Sequence, residues 1–161
     1  MSGSLLSSVA TIWQNNTMLC ALVPYDHVYA GRIPSTRLYR FPYVSIVALG
    51  GVQYLRTGAS TYSYSPLSFH IWVDEDKLEF AEYLADKIAD VYANTDWALS
   101  TVAKVIDVRE EGDGMAHQTD LPSVKAWELV KMFSVFVEHK RVDNSSTCPA
   151  DFSDDEPTSG S

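Results

Sequence analysis

The chain has 161 residues, of which 46% are hydrophobic and 12% aromatic, and a formal net charge of −9. That is enough chain for one domain with a substantial core, and its longest apolar run falls far short of the ~20 residues a membrane-crossing helix needs. Five acids (Asp143, Asp151, Asp154, Asp155 and Glu156) and no lysine or arginine lie in residues 142–161, so the body carries only −4 and no basic stripe suited to gripping a phosphate backbone.

This composition divides the chain into a single α+β domain over residues 1–141 and an acidic tail over 142–161 with the make-up of a disordered segment. The N-terminus has neither the basic region nor the apolar stretch of a signal peptide, which points to the cytoplasm and leaves the acceptor patterns at Asn15 and Asn144 without meaning. Cys20 sits in an apolar segment and Cys148 in the tail, an arrangement that suggests neither a disulfide framework nor a metal site.

In chain order, Leu5, Val9, Ile12 and Trp13 mark one face of an N-terminal helix, with Ser4 available as its cap and Asn15-Asn16-Thr17 as its end. Met18 to Val23 is a brief apolar segment that begins a second short turn before Pro24. His27 to Pro34 reads as a short edge strand interrupted by Gly31. Arg32, Arg37 and Arg40 then gather around a polar connector. Two readings stand for them: a solvated loop, or a contact surface for an acidic partner.

Phe41 is held extended by Pro42 and opens a strand, Tyr43 to Leu49, that stops at Gly50-Gly51. Val52 to Leu55 continues it after a bend, and Arg56 to Thr61 is a polar tip. Leu67, Phe69, Ile71 and Val73 alternate with Ser68, His70, Trp72 and Asp74, the period of a strand with one apolar face. A helix follows, with Asp76 and Glu79 at capping-box spacing and Leu78, Ala81, Leu84, Ala85, Ile88, Ala89 and Tyr92 on one face. Strand face and helix face are both apolar and adjacent in sequence, so they should pack together.

Beyond Trp97 and Leu99, Val102, Lys104, Ile106 and Val108 alternate with Ala103, Val105 and Asp107 as a further strand. Arg109 to Pro122 is polar and glycine-bearing and reads as a long loop, and Trp127 to Val137 as the closing strand. The expected architecture is α+β: a mostly antiparallel sheet with an N-terminal helix and one long amphipathic helix packed on one face.

Motifs for catalysis are missing. Gly50-Gly51 lacks the lysine and further glycines of a phosphate loop, and there is no nucleophile elbow. His27, His70, His117 and His139 fall on separate elements; His117 and Asp120 share the loop and suit a surface pair better than an acid–base couple or two metal ligands. Tyr62 and Tyr64, with Tyr54 and Arg56, form an aromatic group with an arginine. That composition is enriched at protein interfaces, and it equally suits cross-strand packing inside a hairpin.

The N-terminal helix, Val28-Tyr29-Ala30-Gly31-Arg32-Ile33-Pro34, Phe41-Pro42-Tyr43-Val44-Ser45-Ile46, Pro66 to Val73 running into the helix Glu79–Ala93, and the closing strand Trp127 to Val135 together resemble a known family. Over residues 4–139 the chain is similar to the tail-completion, or tail-terminator, proteins of long-tailed bacteriophages and of phage-derived gene transfer agents. The resemblance implies a non-enzymatic structural protein without a cofactor, found at the neck of the virion and assembled in the host cytoplasm. It further implies a ring, commonly a hexamer, that caps the head-proximal end of the tail tube, meets the tube protein and a head-completion or adaptor protein, and lets DNA pass. The interface positions expected on this reading are Arg32, Arg37, Arg40, Tyr54, Arg56, Tyr62 and Tyr64, with the loop around Asp113, His117 and Asp120 as a second surface. Two other readings stay open: a head-closure adaptor or tube subunit of the same particle, and a small-ligand or enzymatic domain using His117 and Asp120.

Overall fold

The alternation of Leu67, Phe69, Ile71 and Val73 is realised in a fifteen-residue strand, and the structure, a computed structural model, describes residues 2–31, 41–97, 99, 103–111, 115–121 and 124–141. Arg32, Arg37, Arg40, Asp113 and the acidic segment 142–161 lie outside the described residues. Element order is α1 (Ser2–Asn15), α2 (Thr17–Leu22), a 3-10 turn, β1 (Val28–Ala30), β2 (Tyr43–Ala48), β3 (Val52–Arg56), β4 (Ser60–Asp74), α3 (Leu78–Asn94), β5 (Ala103–Glu110), β6 (Met115–Leu121) and β7 (Val124–Lys140). The class is α+β: the described strands form one seven-stranded sheet, antiparallel except where β1 runs parallel to β2.

β4 and β7 pair along their whole shared length, from Ser60 beside Lys140 to Asp74 beside Ala126. On one side of this ribbon lie β2, with β1 outside it, and then β3; on the other lie β5 and then β6. Val52 to Leu55 does continue the preceding strand, because β2 and β3 add one after the other to the same edge of β4. Gly51 sits at the break, where a Cβ would come within 3.2 Å of the Ser65 Oγ; the close passage of the two chains is what the glycine permits.

The helices cover one face. Leu5, Val9 and Trp13 of α1 meet Val44 and Ile46 of β2 and Phe69 of β4, all buried. From α3 come Ala81, Leu84, Ala85, Ile88, Val91 and Tyr92, where Val91 replaces the expected Leu78 and Ala89 among the fully enclosed positions. Phe69 is the hinge of the packing, with ring centroids 6.4 Å from Trp13, 4.8 Å from Tyr92 and 5.7 Å from Phe133. Enclosing a side chain of that size is worth roughly 1.5–3 kcal/mol. Polar atoms in this layer are paired: Tyr92 donates its hydroxyl to the Val9 carbonyl (2.8 Å) and Trp13 its indole N–H to the Val23 carbonyl (3.2 Å). Burial pushes the Tyr92 hydroxyl well above the ordinary tyrosine range, with a smaller push from nearby Cys20.

Four expectations are corrected. The segment 109–122 is not one long loop: Arg109 and Glu110 finish β5, and Met115–Leu121 is β6, a strand hydrogen-bonded to β7. The closing strand runs from Val124 to Lys140, well beyond Trp127–Val137. Ser4 lies inside α1, and Asp76 lies in a turn, so no capping box forms; the N-cap of α3 is Lys77, without a side-chain hydrogen bond. Finally, β5 bulges between Val105 and Asp107, so Ala103, Val105 and Val108 pack inward while Ile106 is exposed, an inversion of the simple alternation.

Candidate interaction surface

The face of the sheet away from the helices carries two further groups of aromatic side chains. At its outer end, Tyr54 of β3 stands 6.4 Å from Tyr62, 6.3 Å from Tyr64 and 5.9 Å from Phe136, ring centre to ring centre. The Arg109 guanidinium lies over Phe136 at 4.7 Å and is held by Asp107 at 2.7 Å. The Tyr62 hydroxyl and the Ser60 hydroxyl both donate to Glu138 Oε1, at 3.2 and 2.8 Å. Cross-strand packing of Tyr54 against Tyr62 and Tyr64 is therefore present, and it leaves Tyr54 48% exposed. Arg56 ends β3 and is exposed. Three of its neighbours on this edge, Val52, Tyr54 and Leu55, are half exposed apolar side chains side by side.

Sequence reasoning found Tyr54, Tyr62, Tyr64 and Arg56 and missed Phe136 and Arg109. Those two arrive from β7 and β5 by long-range pairing, Tyr64 beside Phe136 and Phe136 beside Asp107. His117 and Asp120 are positions of β6, opposite Glu128 and Lys125 of β7. Three residues apart on a strand, their backbone positions belong to opposite faces.

Further along the same face, Phe41, Tyr43 and Trp72 stack with centroids 5.7 Å apart at each step. The Trp72 indole N–H is buried without a partner among the described residues. Between the two aromatic groups, His70 Nδ1 lies 2.6 Å from Glu128 Oε1 and its Nε2 lies 3.1 Å from the Ser68 hydroxyl. The carboxylate only accepts, so Nδ1 carries the hydrogen toward Glu128, and in the neutral imidazole Nε2 is left to accept from the Ser68 hydroxyl. Serine, histidine and glutamate in this order match a hydrolase relay, but acyl transfer also needs N–H donors aimed at the developing oxyanion. Here β4 is paired on both edges, so its amides are spent on β2 and β7. Trp72 stands four residues along the strand from Ser68, roughly 13 Å, too far to serve. The trio is a satisfied polar bridge between strands.

A cavity of about 460 Å³ lies beside α1 and the end of α3, lined by hydroxyls and amides with Asp96 as its charged member. Its lining offers no nucleophile–base pair.

No protein-family model matches the chain, and no curated protein matches it by sequence. Among solved structures, the chain is similar to one described as the virion of a native gene transfer agent (GTA) particle, with a TM-score of 0.67 and 19% identity over 85% of this chain and 96% of that chain. At that identity the two share a fold.

Proposed function

We propose that the chain is a structural virion protein that forms a ring at the head-proximal end of a phage-type tail, ends growth of the tail tube and joins tail to head while DNA passes through its centre. The observation that carries this reading is the shared fold: nearly the whole of a chain from a gene transfer agent virion superposes on this one. The outer end of the sheet supports it, because a half-exposed apolar strand edge beside an aromatic cluster is a surface suited to protein contacts. On this reading the protein is not an enzyme, takes no cofactor, and works in the virion beside a tube protein and a head-completion or adaptor protein.

Native mass spectrometry of the purified chain over a concentration series, alone and with tail-tube protein, tests it. A closed ring of fixed copy number, formed alone or on addition of tube protein, is the expected result. A chain that stays monomeric under both conditions overturns the reading, and a long tube formed by this chain alone would make it the tube subunit instead.

A further inference from the structure

At its outer end the sheet narrows to the order β3-β4-β7-β5, and no further strand among the described residues pairs with the outer edge of β3 or of β5. Registers place these strands in four common rows: Arg56, Thr61, His139 and Ala103 share one, Leu55, Tyr62, Glu138 and Lys104 the next, Gln53, Ser63, Val137 and Val105 the third, and Val52, Tyr64, Phe136 and Asp107 the last. Neighbouring strands alternate in direction, and four is an even number. The β3 edge of one copy set beside the β5 edge of another therefore continues the antiparallel alternation.

We propose that copies of this chain join in this way, β3 of each adding to β5 of the next, so that the outer ends become one continuous sheet; the inference rests on the ring reading above. The outward backbone groups of β3 have no partner among the described residues, and such a row is a template for another strand. Edge strands that must stay single carry lysine, proline or an inward charge. β3 has none of these, and its single charge is Arg56; β5 does carry a lysine, Lys104, in register with Glu138 of β7. β5 with Glu111 carries three acids against two bases, so the two edges do not repel.

Both edges also bulge, β3 between Gln53 and Leu55 and β5 between Val105 and Asp107. A bulge ordinarily blunts an edge, but each of these presents an exposed apolar residue, Tyr54 (48%) and Ile106 (45%), about one row apart. A head-to-tail join covers both residues at once, whereas a two-fold pairing of β3 with β3 leaves Ile106 in water. Contacts between unlike edges are the kind that close into rings.

The test uses Leu55→Cys and Lys104→Cys, each in the full chain with Cys20→Ser and Cys148→Ser, under conditions where native mass spectrometry shows the assembled species. Mixing the two variants, one isotopically labelled, with a short bismaleimide should give a dimer of one light and one heavy chain, and neither variant alone should cross-link. Leu55→Cys cross-linking to itself overturns the proposal in favour of two-fold pairing. Rings that form without the mixed cross-link overturn it while the ring reading stands. A chain that is monomeric with and without tube protein removes both. As a second measurement, Val52→Lys with Leu55→Lys should weaken assembly about tenfold or more without lowering the melting temperature, and Tyr83→Lys, at an equally exposed site on α3, should leave assembly unchanged. Unaltered assembly of the double-lysine variant counts against the proposal.

Discussion

β2 and β3 are consecutive in sequence, add to the same edge of β4, and run in the same direction. Yet four of the six residues of β2 are buried, while all five of β3 are exposed. Pairing with β4 is common to both, but β2 is also flanked by β1 while β3 lies at the edge of the described strands. On the helix-covered face the further difference is α1, which sets Leu5, Val9 and Trp13 against Val44 and Ile46, while Tyr43 and Ser45 are enclosed on the other face, opposite Trp72 and His70. Val44 and Ile46 stabilise the monomer; Val52 and Leu55, of the same chemical type, are left to face whatever lies outside it.

The largest expected effect sharpens this contrast. Ile46→Ala should cost about 2–5 kcal/mol of folding stability by urea titration, whereas Leu55→Ala should cost less than about 0.5 kcal/mol. Equal losses at the two sites would mean that β3 is held as firmly as β2.

A second test concerns Lys131, which is only 5% exposed on the helix-covered face and is paired with Glu110. The Glu110 carboxylate is about half exposed, so the pair is asymmetric. Glu110→Ala strands a cation in the core and should cost about 3 kcal/mol, while Lys131→Met frees the carboxylate to water and should cost under about 1 kcal/mol. The reverse order would show that the lysine reaches solvent.

Tyr92→Phe removes a buried donor from the Val9 carbonyl and should cost about 1 kcal/mol at neutral pH. The same residue gives a pH dependence. Its folded-state pKa is raised, so above about pH 10, the ordinary tyrosine value, the unfolded chain loses this proton first and stability falls as pH rises. Below that point Tyr92 contributes no slope. The Tyr92→Phe variant should therefore lose stability less steeply than the parent above pH 10; parallel curves would refute the assignment. Last, Tyr54→Ser should cost about 0.5–1 kcal/mol by urea titration, the value of its ring contacts.

Much of the fold was legible because period carries burial. The alternation through Leu67–Val73 and the helical spacing of Ala81, Leu84, Ala85 and Ile88 both matched the buried positions. The misreadings have definite physical sources. β6, Met-Ala-His-Gln-Thr-Asp-Leu, is polar, preceded by Gly114 and followed by Pro122, and it is a strand because the N-terminal half of β7 offers it an edge. Val108 packs inward with Val105 rather than sharing the face of Ile106 because a bulge resets the alternation, and no local pattern announces one. The tyrosine cluster was visible from Tyr54, Tyr62 and Tyr64, which share a hairpin; Phe136 and Arg109 belong to it only through pairings that span dozens of residues. Lys131 broke the rule that lysines lie outside, since its partner comes from another strand.

The last strand described is also the one on which the sheet depends, for β4, β5 and β6 all pair with β7. Its contacts reach back across most of the chain, a topology of high contact order that folds slowly because long loops must close before pairing is rewarded. During synthesis the inner edge of β4 stays open until residues 124–140 leave the ribosome. The four-stranded outer end, and with it the β3 and β5 edges as two sides of one sheet, comes into being only at that moment. Partial chains thus lack the complete sheet, and its assembly is timed by the final strand.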